Sequence, residues 1–402
     1  MGPREVHDSN NETHVLVLPS WYPSYEGDVG GSFFREQALS LSKRGYKLGV
    51  IYPQVQSLRK WKEVLTANYG FEYRNDNGVR TYRWRFLNCT PRIQFINKRK
   101  YVSLGLRLFG KYMQENGPPD ILHVHSLLNA GFLAYAIKQK YKIPYVVTEH
   151  STAFARGLVS AEIKKDLMKV LQESTKNIAV SGEFEVLLKR ELAGSEWISV
   201  PNIVSDEFLL RPITKEDSCE FKFINVCLLT EKKKVDILIK AFSKSFKESK
   251  NIKLEIGGDG PCLPSLKRLA EQEGVADQVT FLGMLQRHEV LDKVSKANAF
   301  VLSSEYETFG VVLVEALALG KPVIATRCGG PESIVIPEVG YLVQKNSVSE
   351  LSQAMNHLYE NKEQFVAENI RKYCADNYSE KSVIKRLGDI YKEALLLTEK
   401  SK

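Results

Sequence analysis

The sequence predicts an α/β protein built from two doubly wound parallel-sheet domains. Its 402 residues exceed one ordinary domain, continuous apolar β-branched runs alternate with helical patterns, and the alternation occurs twice with a break between.

In the first half the strands read THVLVLP, KLGVIYP, DILHVHS, IPYVVTEH, KNIAVS and EWISVPN, with helices from about Phe33 to Arg44 and through AYAIKQKY. Strands that are apolar throughout belong in a parallel sheet covered on both faces. Turn formers and charge displace the pattern in VSDEFLLRPITKEDSCE, residues 204–220. The scheme then resumes: FKFINVCLL, helix VDILIKAFSKSF, IKLEIGG, helix LPSLKRLAEQEG, QVTFLG, NAFVLSS, an apolar helix, KPVIAT and GYLVQ. Expected extents are 1–205 and 206–382, with the amphipathic end, about 383–402, packing outside its own domain. Open α/β sheets bind ligands beyond the strand C-termini, so the default site is a cleft between two such domains.

Composition excludes several classes. The chain is 43% apolar and 26% charged, and no apolar run reaches the roughly 18 to 20 residues of a membrane span. The first dozen residues, MGPREVHDSNNE, lack a signal-peptide core, so a cytoplasmic protein is expected. Cys89, Cys219, Cys227, Cys262, Cys328 and Cys374 show no metal-ligand spacing and read as reduced, mostly buried residues.

The net charge of +8 sits in the first half, where residues 1–200 hold 28 Lys and Arg against 19 Asp and Glu. No acid occurs between Asp76 and Glu115, and Arg83, Arg85, Lys98, Arg99 and Lys100 are interleaved with Trp84 and other aromatics. Such a tract suits an anionic membrane surface or an acceptor, or simply a solvated face.

In the segment SSEYETFGVVLVEALALGKPVIAT, residues 303–326, Glu315 is the one carboxylate in a helix greasy on all sides. Such a helix is buried, and a buried carboxylate needs donors. A ribose diol would supply two, and so would a Lys or Arg from elsewhere in the fold. Glu307 precedes the helix, whose first amides at Phe309, Gly310, Val311 and Val312 are suited to a diphosphate. Gly30 and Gly31 before the first helix either admit a phosphate or merely shape the turn. In IKLEIGGDGP, Gly258 follows a strand without completing G-x-G-x-x-G, which disfavours an NAD oxidoreductase. His123 and His125 read as structural histidines, whereas His150, at the end of IPYVVTEH, could donate to a sugar hydroxyl or act as a cap.

Together Gly30-Gly31, His150, VPNIVSDEF, KKVDILIKAF, GGDGP and E-T-F-G-x-x-x-x-E-A-x-A-x-G-x-P-V-I-A resemble the family 4 retaining glycosyltransferases with the GT-B fold, over about residues 15–390. The resemblance implies an N-terminal acceptor domain, a C-terminal donor domain and a final helix crossing back to the first. It places Glu315 on the ribose, Glu307 on the transferred sugar, His150 on the donor hexose, and the amides of Gly310 to Val312 with the Gly30-Gly31 loop on the diphosphate. Ser181 and Asn202 match positions usually near the cleft. No metal or other cofactor is implied, and the chain has no D-x-D pair.

One departure stands out. The family's G-R-L-x-x-x-K-G is here Cys227-Leu228-Leu229-Thr230-Glu231-Lys232-Lys233-Lys234, so the arginine is lost at Leu228 while Lys233 keeps the lysine. Leaving-group stabilisation then falls to Lys233, helped by Lys232 or Lys234, although a lysine cannot give arginine's bidentate fork. The expected activity is metal-independent hexosyl transfer with retention, from a UDP- or GDP-sugar to a saccharide or lipid-linked acceptor. The expected setting is surface polysaccharide or glycolipid synthesis, peripheral on the inner face of the cell membrane. The alternatives are a sugar-nucleotide epimerase of the same fold and a non-catalytic nucleotide-sugar binder. No nucleic-acid partner is expected.

Overall fold

The computed structural model describes residues 13–25, 28, 30–57, 68–89, 93–213 and 219–399. The chain divides into two compact units. The first takes residues up to Val180, Glu185–Val200 and Ile384 onward; the second takes Ser181–Phe184 and Pro201–Val383.

The first unit holds an eight-stranded sheet in the order β3-β4-β2-β1-β5-β6-β7-β8. Its strands are β1 (His14–Pro19), β2 (Lys47–Ser57), β3 (Gly70–Asp76), β4 (Val79–Asn88), β5 (Ile121–His125), β6 (Tyr145–Glu149), β7 (Lys176–Ala179) and β8 (Ile198–Ser199). All pairs are parallel except the β3–β4 hairpin. Every residue of β1, β5 and β6 is buried, as strands covered on both faces must be. The helices are α1 (Ser32–Lys43), α2 (Gln94–Asn116), α3 (Phe132–Tyr141), α4 (Ala161–Glu173) and α5 (Gly182–Glu191), whose first turn clusters with the second unit.

The second unit holds a six-stranded, wholly parallel sheet in the order β11-β10-β9-β12-β13-β14. Its strands are β9 (Phe221–Val226), β10 (Ile252–Gly257), β11 (Val279–Gly283), β12 (Ala299–Leu302), β13 (Val323–Thr326) and β14 (Gly340–Val343). The helices are α6 (Asp206–Leu210), α7 (Val235–Phe246), α8 (Leu263–Gln272), α9 (Arg287–Ser295), α10 (Val311–Ala318), α11 (Val348–Glu360) and α12 (Ala367–Tyr378), followed by α13 (Glu380–Glu399), of which only the first turn belongs to this unit. Phe223, Leu238, Phe242, Leu254, Ile256 and Met355 anchor the core between this sheet and its helices.

Most of α13 packs on the first unit, where the Tyr391 hydroxyl meets His123 Nδ1 at 2.7 Å and Glu393 pairs with Lys176 at 2.8 Å. The basic tract forms a strand and a 23-residue helix, β4 and α2, the elements of its solvated-face alternative. Two features differ from the sequence reading. EWISVPN keeps only a two-residue, exposed strand. The cysteines are free but mixed in burial: Cys89 and Cys219 are exposed, Cys227 and Cys262 half-buried, and only Cys328 and Cys374 buried.

Candidate functional site

In the second unit the chain leaves β12 and runs through Ser303–Gly310 into α10. Each step of this loop is tied down. Ser303 Oγ donates to the Lys233 carbonyl at 2.9 Å, Glu305 N to the Lys232 carbonyl at 2.8 Å, and Gly330 N to the Glu307 carbonyl at 2.8 Å. Gly310 then adopts φ 105°, a left-handed conformation open to glycine at little cost, and turns the chain into the helix. The amides of Val311 and Val312 fall in the first turn, where no preceding helical carbonyl can accept them. The helix dipole adds its positive end there. Phe309 just ahead is buried.

Two carboxylates bracket this helix start. Glu307 Oε1 accepts from Ser304 Oγ at 2.8 Å and pairs with Lys233 Nζ. Burial opposes the charge on Lys233, but the neighbouring Glu307 carboxylate outweighs it, so the ammonium's pKa lies above its ordinary value. One turn into α10, Glu315 is only 2% exposed, and its Oε1 is held by Arg287 Nη1. Arg287 opens α9, fixed by a capping box between Gln286 and Glu289, and its guanidinium lies 4.6 Å over the Phe208 ring. Of the two partners open to Glu315 in the sequence, the internal arginine is present. A diol bound there would share the carboxylate with Arg287.

The loop after β9 carries the departure from the family pattern. Leu228 is half exposed, with no charged group at the lost arginine's place. Glu231–Lys233 form a single 3₁₀ turn, and Lys234 follows in the left-handed region at φ 49°, where the family pattern has glycine. Lys234 Nζ lies 3.5 Å from Glu305. Against this loop lies Gly258, at φ 131°; a Cβ there would sit 1.8 Å from the Cys227 carbonyl oxygen. Its N–H is donated to the Gly283 carbonyl at 2.7 Å, so Gly258 contributes close approach rather than a free donor. Ser181 Oγ donates to the Thr308 carbonyl at 2.7 Å and accepts from Phe184 N at 3.2 Å, fastening the start of α5 to the loop before α10. Asn202 is buried where the chain enters this unit.

In the first unit, Gly30 N donates to Asp28 Oδ1 at 2.9 Å, and Gly31 caps α1 in the left-handed conformation at φ 83°. The Gly30 amide is therefore spent on the turn. His150 is buried, its Nε2 3.1 Å from His125 Nδ1, with its ring against Phe33 and Phe34. Burial, together with the charge His123 would carry, pushes its pKa well below the ordinary value, so the imidazole is neutral near pH 7. His123 is structural, held by Tyr391 and Thr148.

A residue the sequence reading passed over sits beside His150. Glu149 is fully buried and accepts from the backbone N–H of Leu127, His150 and Ser151 at 2.7–2.8 Å. Burial raises its pKa despite these donors. The loop it anchors is strained, with Ser126 at φ 67° and Asn129 at φ 69°, ψ −65°. The signal was available: an acid ending an apolar strand poses the same question as Glu315.

The basic tract is not one surface. Arg83 is 3% exposed, donating to the Pro23 and Ser24 carbonyls under the loop after β1, so it cannot meet a membrane. Arg85 pairs with Glu72 at 2.6 Å and Trp84 is half-buried. Alternation along β4 puts Arg83 and Arg85 on one face and Tyr82 and Phe86 on the other, and only Arg80 of this strand is exposed. Lys98 pairs with Asp166 at 2.6 Å, and Lys100 donates to the Leu87 carbonyl at 3.1 Å. Arg99 stays exposed over Phe95.

Residues 206–380 match the family described as Glycosyl transferases group 1, and residues 30–208 match Glycosyltransferase Family 4. The chain belongs to the group 1, family 4 glycosyltransferases. This glycosyltransferase is 28% identical over 363 residues to an uncharacterized glycosyltransferase of Methanocaldococcus jannaschii, covering 83% of this chain and 90% of the relative. In fold it is similar to sucrose-phosphate synthase from Thermosynechococcus elongatus, with TM-score 0.75, 19% identity and coverage of 95% and 98%. It is similar also to the HepE protein of Anabaena in complex with UDP and glucose, with TM-score 0.69, 17% identity and coverage of 94% and 98%. Its two parallel-sheet domains are those of the GT-B fold. Among its described residues no helix is long and apolar enough to cross a membrane.

Proposed function

We propose that the enzyme moves a hexosyl unit, with retention, from a UDP- or GDP-sugar to a saccharide or lipid-linked acceptor in cell-surface polysaccharide or glycolipid synthesis. The observation that carries this is the start of α10, where first-turn amides, the Lys233–Glu307 pair and the Arg287-held Glu315 lie along one short stretch of the second unit. The UDP and glucose bound to the Anabaena protein of similar fold agree with it.

The chemistry follows from charge. Breaking the bond to the anomeric carbon builds negative charge on the diphosphate, and the amides of Val311 and Val312 with the Lys233 ammonium are set to receive it without reorganising. No metal is needed for that step in this reading. Glu307, steadied by Lys233 and Ser304, accepts from a hydroxyl of the transferred sugar. Glu315, oriented by Arg287, accepts from the ribose. His150 offers a neutral imidazole to a hexose hydroxyl, and the departing phosphate oxygen takes the acceptor proton.

The membrane part of the reading now rests on a smaller patch. Ile93, Phe95 and Ile96 are 50%, 60% and 44% exposed at the start of α2, beside Arg99 and Lys100. A peripheral position on an anionic cytoplasmic leaflet would cover them.

A panel of UDP-, GDP- and ADP-sugars, read by thermal stabilisation, identifies the donor, because a ligand bound only to the folded state raises apparent stability with its occupancy. Anomeric analysis of the transferred product then decides retention. Stabilisation by no nucleotide sugar rejects the reading, and conversion of donor alone to an epimer replaces transfer by epimerisation.

A further inference from the structure

Four strands end the two sheets, and one of them differs from the rest. β8 has two residues, β14 has four, and β11 has five with a break in register against β10. β3 has seven, and its pairing with β4 runs without a bulge from Gly70 to Asp76. It carries neither Pro nor Lys, the residues that blunt an edge. Among the described residues no strand lies beyond it.

The turn fixes which backbone groups point off this edge. Asn77 at φ 48° and Gly78 at φ 91° make a two-residue hairpin turn, so Asp76 and Val79 form a hydrogen-bonded pair. The ladder to β4 is therefore made by Asp76, Arg74, Glu72 and Gly70, whereas Phe71, Tyr73 and Asn75 turn their N–H and C=O outward. Their side chains are exposed as well, Phe71 by 40% and Tyr73 by 47%. On that face Tyr73 meets Tyr82 edge-on and Lys111 lies over the Phe71 ring. A long, regular edge carrying aromatic side chains is a template for another strand.

The strand's own sequence selects the partner. Laid antiparallel on itself about Tyr73, β3 overlaps along its whole length: Tyr73 faces the partner's Tyr73, Phe71 the partner's Asn75, and Glu72 the partner's Arg74. The outward backbone groups then fall at the hydrogen-bonded positions, and on the other face acid stands opposite base. Arg74 pairs with Glu72 of its own strand, yet its side chain is 51% exposed and can reach across. We propose that two copies of this chain associate through β3, antiparallel about a two-fold axis at Tyr73, joining their eight-stranded sheets into one. The interface lies on the first unit alone and stands whatever donor and acceptor the enzyme uses.

The test is sedimentation velocity of the full chain from about 1 to about 200 μM, a range set by the small area a strand pair buries. The mass should rise from one chain toward two. Over the same range, hydrogen exchange at the Phe71, Tyr73 and Asn75 amides should slow as the concentration rises. Arg74→Glu sets acid against the partner's Glu72, twice by symmetry. Tyr73→Pro deletes an N–H that β4 does not use, a change tolerated at a sheet edge. Each should weaken self-association at least about tenfold, with the melting temperature of the dilute protein unchanged. The proposal is overturned by a monomer at every concentration, or by a dimer that these variants leave intact. Protection of the three amides that does not depend on concentration would also overturn it, giving the edge to another segment of the same chain.

Discussion

Arg287 and Glu315, 28 residues apart on separate helices, form an ion pair whose two members differ sharply in exposure: 33% for the guanidinium side chain and 2% for the carboxylate. That difference makes the pair asymmetric to mutation. Arg287→Ala strands a dry carboxylate and should cost about 3 to 5 kcal/mol. Glu315→Ala leaves a guanidinium that can reach water and should cost roughly 1 to 2 kcal/mol. Urea unfolding of both variants checks the order, and a larger loss for Glu315→Ala would contradict it.

Lys233 should matter to turnover more than to folding. If it stabilises the leaving diphosphate, Lys233→Ala lowers kcat about 100- to 1000-fold, the range for losing one preorganised donor. Lys233→Arg should recover part of this. The lysine's folded pKa is raised, so its contribution to stability is complete below about 10.5 and is lost only as pH climbs through the raised value. The pH–rate profile should therefore show no inflection from this lysine near neutrality.

The buried histidines make the first unit acid-sensitive. Burial takes His14 down to about 4 and His123 to about 3, and holds His125 and His150 well below 6.5. Between the folded values and 6.5 the unfolded chain binds these protons and the folded one does not. Stability should be flat above about pH 6.5 and fall below it, each group adding up to about 1.4 kcal/mol per pH unit. Unfolding free energies at a series of pH values test this, and an unchanged value from pH 7 to pH 4.5 would contradict it.

The exposed tip of α2 carries the membrane prediction. Replacing Phe95 and Ile96 by Ser should weaken sedimentation with vesicles of phosphatidylcholine and phosphatidylglycerol at least about tenfold. Binding should also fall with salt and vanish on phosphatidylcholine alone. Equal sedimentation of wild type and variant would remove this patch from the reading.

The double α/β architecture was legible because strands buried on both faces cannot alternate, and THVLVLP and NAFVLSS do not. The start of α10 was legible for a related reason: one acid in an otherwise apolar helix demands donors. What could not be read was the donor's source, since Arg287 meets Glu315 only through the folding of a separate helix. The basic tract failed differently. Charge counted along the chain ignores which face a strand presents, and β4 turns Arg83 inward beneath the Pro23 and Ser24 carbonyls. Lys234 shows a local substitution at work: a lysine takes the left-handed turn at φ 49° that the family pattern gives to glycine.

The role of Glu315 is decided by a double cycle of nucleoside diphosphate affinities, the full ribose against its 2′,3′-dideoxy form, on wild type and on Glu315→Gln. If the carboxylate holds the ribose, removing either partner should cost about 1.5 to 3 kcal/mol and removing both scarcely more. Strictly additive losses, or no loss from Glu315→Gln, would show that Glu315 serves Arg287 alone.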